Sequence, residues 1–435
     1  MLIRRMMRLA VLGIAVFGLF FNMLAVDKTT SSLIDIEIEK YLQEIIKIRR
    51  YLHMNPELGN REFETSKLVA SKLLSQGLEV KTGIAGTGVL GILHGDQPGF
   101  SIGFRADMDA LPIQEKNHVP YASLNTGIMH ACGHDVHTAI ALGTAMVLSS
   151  LKSHINGSIK FIFQPAEEGP PAGEEGGASL MIKEGALDDP SIKAIFGLHV
   201  WPELDVGQVR FSAGAVLASA DSFEILIKGK SSHGARPYEG VDAIFLSSQV
   251  VVALHSAMSR MIDPMDPAVV SIGKIQGGIR SNIIAAEVRL AGTARSMSEV
   301  SRTRIENLID NITHGATQPF GAHYEFSYQR GAPPVYNHPE LAEVMRPTLE
   351  EALGKANVLP LPPQMVAEDF SEFSQKIPGF YFMLGVKNPS QESMPPLHSP
   401  EFNPDERSIA TGIKLAAHLL LDCLAHRQSF EAEID

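Results

Sequence analysis

The chain has 435 residues, 45% apolar and 20% charged, which suits two or three globular domains with real cores and excludes collagen, disorder and a polytopic membrane protein. With 37 basic against 49 acidic residues the formal charge is -12, which excludes a protein that tracks nucleic-acid phosphates. Two cysteines, Cys132 and Cys423, build no disulfide framework, so the fold stands on its core.

Arg4, Arg5 and Arg8 precede an uncharged apolar run from Leu9 to Val26, the layout of a secretory signal. Met23 stands where a small residue would favour cleavage after Ala25, and the run is long enough to stay in a bilayer. Residues 1–32 are therefore set apart as a signal peptide or a membrane anchor. The body is expected outside the cytoplasm, periplasmic or extracellular.

Ile38, Tyr41, Leu42, Ile45 and Leu52 recur at helical spacing before Asn55-Pro56, which predicts an amphipathic helix from near Leu33. A second helix is predicted over 61–76. Short apolar or β-branched runs then predict strands over 89–93, 101–104, 159–163 and 194–198, with helices over 137–151 and around 178–184 between them. This alternation predicts an α/β domain whose largely parallel sheet is covered on both faces.

Near Ala213 the pattern changes. Phe223, Ile225 and Ile227 alternate, 241–258 reads as an apolar helix, 269–275 and 288–294 as strands and 302–312 as a helix, and Tyr324, Phe326 and Tyr328 alternate again. That βαββαβ order is the ferredoxin-like unit. A strand over 380–386 and a helix over 405–425 resume the first style. The expected organisation is a catalytic domain in two parts, 33–212 and 332–435, with a smaller α+β unit inserted over 213–331.

Open α/β sheets bind ligands beyond the carboxyl ends of their strands. Just past the predicted strands stand Asp107 and Asp109, Glu167 and Glu168, and His199; Cys132 and His134 precede a helix, and His398 lies in a proline-flanked loop. A thiolate, imidazoles and carboxylates together suit zinc or a similar divalent ion. Singly, a cysteine reads as a small apolar residue and a histidine as a satisfied polar group. Their convergence on one sheet edge is what points to metal. In metal-assisted hydrolysis one carboxylate of an adjacent pair can ligate while the other serves as general base, an order that spacing leaves open for Glu167 and Glu168. A cysteine hydrolase with Cys132 as nucleophile would give the glutamate pair and His199 no role. A non-catalytic metal- or peptide-binding protein is the remaining class.

At these residues the sequence resembles the M20 metallopeptidases, in the amidohydrolase branch of auxin-conjugate, hippurate and N-acyl-amino-acid hydrolases. The motifs are Arg50-Tyr-Leu-His53 with Pro56-Glu-Leu58, Arg105-Ala-Asp-Met-Asp-Ala-Leu-Pro112, His130-Ala-Cys-Gly-His-Asp-Val-His137, Gln164-Pro-Ala-Glu-Glu-Gly169, Gly197-Leu-His-Val200, Ser232-His-Gly-Ala235, Glu368-Asp-Phe370 and Leu397-His-Ser-Pro400. The resemblance implies a zinc-peptidase-like catalytic domain with a lid and dimerisation domain inserted. It implies two divalent ions, zinc or manganese with cobalt also suited, held by Cys132, His134, Glu168, His199 and His398. It makes Glu167 the general base and acid beside a metal-activated hydroxide, and Asp109 the group that orients a metal-binding imidazole. It further implies that His233 and Asn282 reach the substrate from the inserted domain, His233 often from the partner of a homodimer to stabilise the oxyanion. The implied reaction cleaves a small N-acyl or N-aroyl amino acid into a carboxylic acid and an amino acid; the alternative in the same family is a dipeptidase or an N-acetyl-diaminopimelate deacetylase. Two departures stand out: Gly169-Pro-Pro-Ala-Gly-Glu-Glu-Gly-Gly177 carries a second acidic pair, and Ser281-Asn-Ile-Ile-Ala285 lacks the proline often found there.

Overall fold

The computed structural model describes residues 26–426, so most of the segment read as a signal or anchor lies outside the described residues. The first helix, α1 (Lys28–Met54), starts ahead of the expected point near Leu33, because the Asp27 side chain accepts from the Thr30 N–H and caps it. There follow α2 (Phe63–Ser75), β1 (Glu79–Ile84), β2 (Gly88–His94), β3 (Gln97–Asp107), α3 (His134–Ser149), β4 (Asn156–Gln164), α4 (Gly177–Lys183), β5 (Ile192–Asp205), β6 (Val209–Phe211) and β7 (Gly214–Leu217). Next come β8 (Asp221–Lys228), α5 (Ala243–Met261), β9 (Ala268–Gly277), β10 (Glu287–Ser296), α6 (Glu299–Thr317) and β11 (His323–Arg330). The chain then returns through β12 (Val335–Asn337), α7 (Pro339–Leu353), β13 (Val358–Pro360), α8 (Phe370–Ser374), β14 (Gly379–Lys387) and α9 (Arg407–Ala425).

The main sheet has the order β1-β2-β4-β3-β5-β14-β6-β13. Its centre, β4, β3, β5 and β14, is parallel, while β1 and β2 join antiparallel at one side. This is the largely parallel α/β architecture that the alternation of strands and helices predicts. Successive side chains on a strand face opposite ways. Phe161, Phe163, Phe380 and Phe382 accordingly pack under α1, α3 and α9, while Ile162, Tyr381 and Met383 pack on the other face with Met181, Phe370 and Phe373. Helix α3 is buried along almost all its length, which suits a helix apolar on every side. Cys423, fully buried in α9, is a packing residue.

The second sheet, β11-β8-β10-β9, is antiparallel and carries α5 and α6 over a core of its own that includes Phe223, Ile225, Ile227, Leu246 and Ile305. At its base Arg302 clamps the Asp221 carboxylate through Nη2 at 2.7 Å and Nε at 2.9 Å, and the Tyr328 hydroxyl donates to the same group at 2.8 Å.

Candidate metal centre

Strand β3 delivers Asp107 and Asp109 to the carboxyl edge of the sheet, and the loop 130–133 returns there to start α3 at His134. Gly133 sits at φ +89°, where a Cβ would meet the Val200 side chain at 2.5 Å, so glycine alone lets this loop pass. Carbonyl oxygens can only accept, and this fixes two imidazoles. His134 donates from Nδ1 to the Asp109 carbonyl at 2.8 Å, so in the neutral ring Nε2 carries the lone pair. That Nε2 is buried and meets no hydrogen-bond partner. His199 donates from Nδ1 to the Val200 carbonyl at 2.7 Å and turns its Nε2 to Cys132 Sγ at 3.3 Å. Burial, with His137 beside it, pushes the His199 imidazole down to about 4, into the neutral, ligating form. His199 lies within β5 rather than past a strand ending at 198, because β5 runs on to Asp205.

Glu167 and Glu168 leave β4 through Ala166, a non-glycine residue at φ +52°. The buried Glu62 carboxylate accepts the Ala166 N–H at 2.9 Å and the Thr87 hydroxyl at 2.6 Å, which pins this turn. The Glu168 N–H donates to Asp109 Oδ2 at 3.0 Å. His398, also at positive φ, donates its backbone N–H to the Ala131 carbonyl at 2.9 Å. Its Nε2 thereby comes 3.3 Å from Cys132 Sγ and 3.0 Å from Glu168 Oε1. Glu167 Oε2 stands 3.8 Å from His134 Nε2. Burial, with Glu368 and Asp369 adjacent, pushes the Glu167 carboxyl well above the usual carboxylate range.

Ligand atoms of Cys132, His134 and His199 lie within 4.8 Å of one another, as do those of Cys132, Glu168 and His398 and those of His134, Glu167 and Glu168. These three triads overlap at Cys132, His134 and Glu168, so the donors form one connected cluster. A bare buried imidazole nitrogen beside a thiol, two further imidazoles and a carboxylate fits a pair of borderline divalent ions. Two neighbouring clusters do not fit. His137 accepts the Val200 N–H on Nε2 at 2.9 Å and approaches Asp107 at 2.7 Å, so both its nitrogens are spent. Glu368 and Asp369 are engaged by Arg105 at 2.9 and 2.8 Å.

The structure brings together Cys132, His134, Glu167, Glu168, His199, His398 and Asp109. It places His233 and Asn282 against each other on the inserted unit, where Gly234 N–H donates to the Asn282 carbonyl at 2.8 Å, and neither lines the cavity at the centre. Glu174 pairs with Arg61 and Glu175 with Lys183, away from the donor set. Glu62 escapes sequence reasoning because no motif marks it. Trp201, two residues beyond His199, carries a signal in being the sole tryptophan.

The sequence profile described as Peptidase family M20/M25/M40 matches residues 103–422. The chain belongs to the M20 family. This M20 chain is 43% identical over 375 residues to a Synechocystis sp. protein named "Probable hydrolase sll0100", covering 86% of this chain and 93% of that protein. It is 40% identical over 303 residues to an N-acyl-L-amino acid amidohydrolase of Geobacillus stearothermophilus, covering 70% and 80%. The solved structure of the Bacillus subtilis YXEP protein, a dinuclear metal-binding peptidase of the M20 family, matches with a TM-score of 0.76 at 32% identity, covering 89% of this chain and 99% of that one. The protein is thus an M20 hydrolase on the dinuclear metal-binding peptidase fold.

Proposed function

We propose that this M20 hydrolase cleaves the amide bond of N-acyl or N-aroyl amino acids, releasing a carboxylic acid and a free amino acid. The observation that carries this reading is the bare, buried Nε2 of His134 at the junction of the overlapping donor triads. Cys132, His134, Glu168, His199 and His398 would hold two divalent ions, zinc or manganese, with cobalt suited to the same donors. When bound, such ions supply Lewis acidity, polarising an amide carbonyl and acidifying water.

Glu167 takes the proton of the attacking water and hands it to the leaving amine; a carboxyl whose proton affinity is raised by burial is suited to both transfers. Asp109 fixes the His134 tautomer through its carbonyl. His233 and Asn282 close over the substrate from the inserted unit, and two copies pair through that unit as a homodimer. Exposed Ile244, Val252, Ile275 and Ile279 on the unit, together with the outer position of β9 in its sheet, support such pairing. The basic and apolar N-terminal segment supports export, with cleavage or anchoring as its two ends.

Enzyme reconstituted with zinc or manganese and offered hippurate, N-acetyl amino acids, dipeptides and N-acetyl-diaminopimelate is expected to turn over the N-acyl amino acids best. Preferred turnover of a dipeptide or of N-acetyl-diaminopimelate overturns the reading. Glu167→Gln is expected to keep its metal while kcat falls about a hundred- to ten-thousand-fold. Unchanged kcat in that variant removes Glu167 as the base.

A further inference from the structure

His53 and Arg49, in the last turns of α1, are wholly buried and stand outside the donor set. His53 Nδ1 lies 2.7 Å from Asp135 Oδ2, and its Nε2 lies 3.2 Å from Glu115 Oε1. Arg49 Nε comes 2.9 Å from the same Asp135 oxygen. Against burial, these cations hold Asp135 below the usual carboxylate range, and His53 with the Ser123 N–H does the same for Glu115. An ionised carboxylate can only accept, so each nitrogen of His53 must bring a proton and the ring is an imidazolium. Burial alone would drive that proton off, but the two carboxylates outweigh it and hold the imidazolium above its ordinary range. The rings of Tyr121 and His130, with centroids at 5.8 and 6.4 Å, complete the enclosure.

The two carboxylates lead to different parts of the centre. Asp135 follows His134 directly and accepts the Val136 N–H on Oδ1 at 2.9 Å, which fixes the first turn of α3. Glu115 faces the other way: its Oε1 also accepts from Asn117 Nδ2 at 3.1 Å, and the same amide donates to the Phe402 carbonyl at 3.0 Å. The Lys116 N–H donates to the Pro400 carbonyl at 2.8 Å and the Tyr121 hydroxyl to Asn403 Oδ1 at 3.1 Å. Residues 113–121 thus hold residues 400–403, directly after His398. His398 needs that hold. Its side chain is half exposed, and its backbone sits at φ +63°, a strained conformation that persists only where the surroundings impose it.

Resting on the metal-centre reading above, we propose that His53 is a positioning residue for the donor set: clamped between Asp135 and Glu115, it fastens the segment that carries His398 to the helix that starts at His134. The two donors come from the first and second parts of the catalytic domain, and His53 bolts one part to the other. A neutral side chain in its place leaves two buried carboxylates to Arg49, which Glu406 also shares. Glu115, on a loop, is the one free to swing out to water. Residues 400–403 then slacken, and His398 loses its fixed approach to Cys132 and Glu168.

Zinc affinity of the full-length protein, measured by competition with a chromophoric chelator at one pH, tests this independently of turnover. His53→Gln should raise the zinc Kd about tenfold or more, as loss of a group that orients a ligand does. In a His398→Ala background the fastened ligand is already gone, so adding His53→Gln should change the Kd by less than about twofold. A general loosening of the fold would weaken zinc in both backgrounds alike. Asn117→Ala leaves the buried charges paired and breaks the same tie one link further on. It should raise the Kd about threefold or more, again only where His398 is present, and it carries the test if His53→Gln does not fold. Unchanged affinity in a folded His53→Gln, or in Asn117→Ala where the former does not fold, overturns the inference. Equal losses with and without His398 overturn it too, and in all these cases the metal centre still stands. A wild type that takes up no zinc overturns the metal-centre reading and the inference with it.

Discussion

Glu62 touches none of the metal-site donors, yet it grips the turn from which Glu167 and Glu168 project. Its removal leaves the Ala166 N–H without a partner in a buried turn, at a cost of roughly 1–3 kcal/mol. Glu62→Ala is expected to lower kcat about tenfold or more with helix content and KM little changed, as followed by circular dichroism and steady-state kinetics. Glu62→Gln should recover most of that loss, since its amide oxygen still accepts from Ala166 and its NH₂ can donate to the Thr87 hydroxyl. The donor residues themselves were legible in the sequence, because their chemical types recur just past predicted strands. The tautomers of His134 and His199 and the pinned turn at Ala166 were not. Each depends on a backbone group that only the folded chain brings near.

Among the elements, those with sustained periodicity were readable to within a few residues, as β8, α5, β10 and α6 show. Helix α7 was not foreseen, because Pro347 sits inside it and breaks the helical pattern. The short strands β6, β7, β12 and β13 carry too few residues for alternation to register. Helix α6 also holds the strongest lever on the inserted unit, since Arg302 is 5% exposed and Asp221 3%. Arg302→Met leaves the Asp221 carboxylate buried with a hydroxyl and one N–H, and is expected to destabilise the protein by about 3–5 kcal/mol. Urea unfolding followed by tyrosine and tryptophan fluorescence measures this. The double variant Arg302→Met with Asp221→Asn should cost less than the single one, because no uncompensated charge is left behind.

For the molecule as a whole, the donor set couples metal binding to stability. Anything that binds only the folded chain stabilises it, by about 2.7 kcal/mol when it is present at a hundred times its dissociation constant. Chelation is therefore expected to abolish hydrolysis and lower Tm, with graded return of both as zinc or manganese is added back and calorimetry records the shift. Full activity after complete metal removal would contradict the mechanism. The class of fold was legible at this scale from the alternation of strand and helix patterns, and the second sheet from its change to βαββαβ. The way the two meet was not, since it rests on contacts between residues far apart in sequence such as Ser219 with Ser296.

That meeting point is narrow. Strands β8 and β11 lie side by side with Asp221 opposite Arg330, and just below them the Ala220 N–H donates to the Ala332 carbonyl at 2.9 Å. Seen from the body, the chain departs and comes back through neighbouring positions, so everything between Ala220 and Gly331 occupies almost no length along the main architecture. Such a junction is a natural splice point. A module of another size or shape could be exchanged there without stretching the sheet that carries the chemistry.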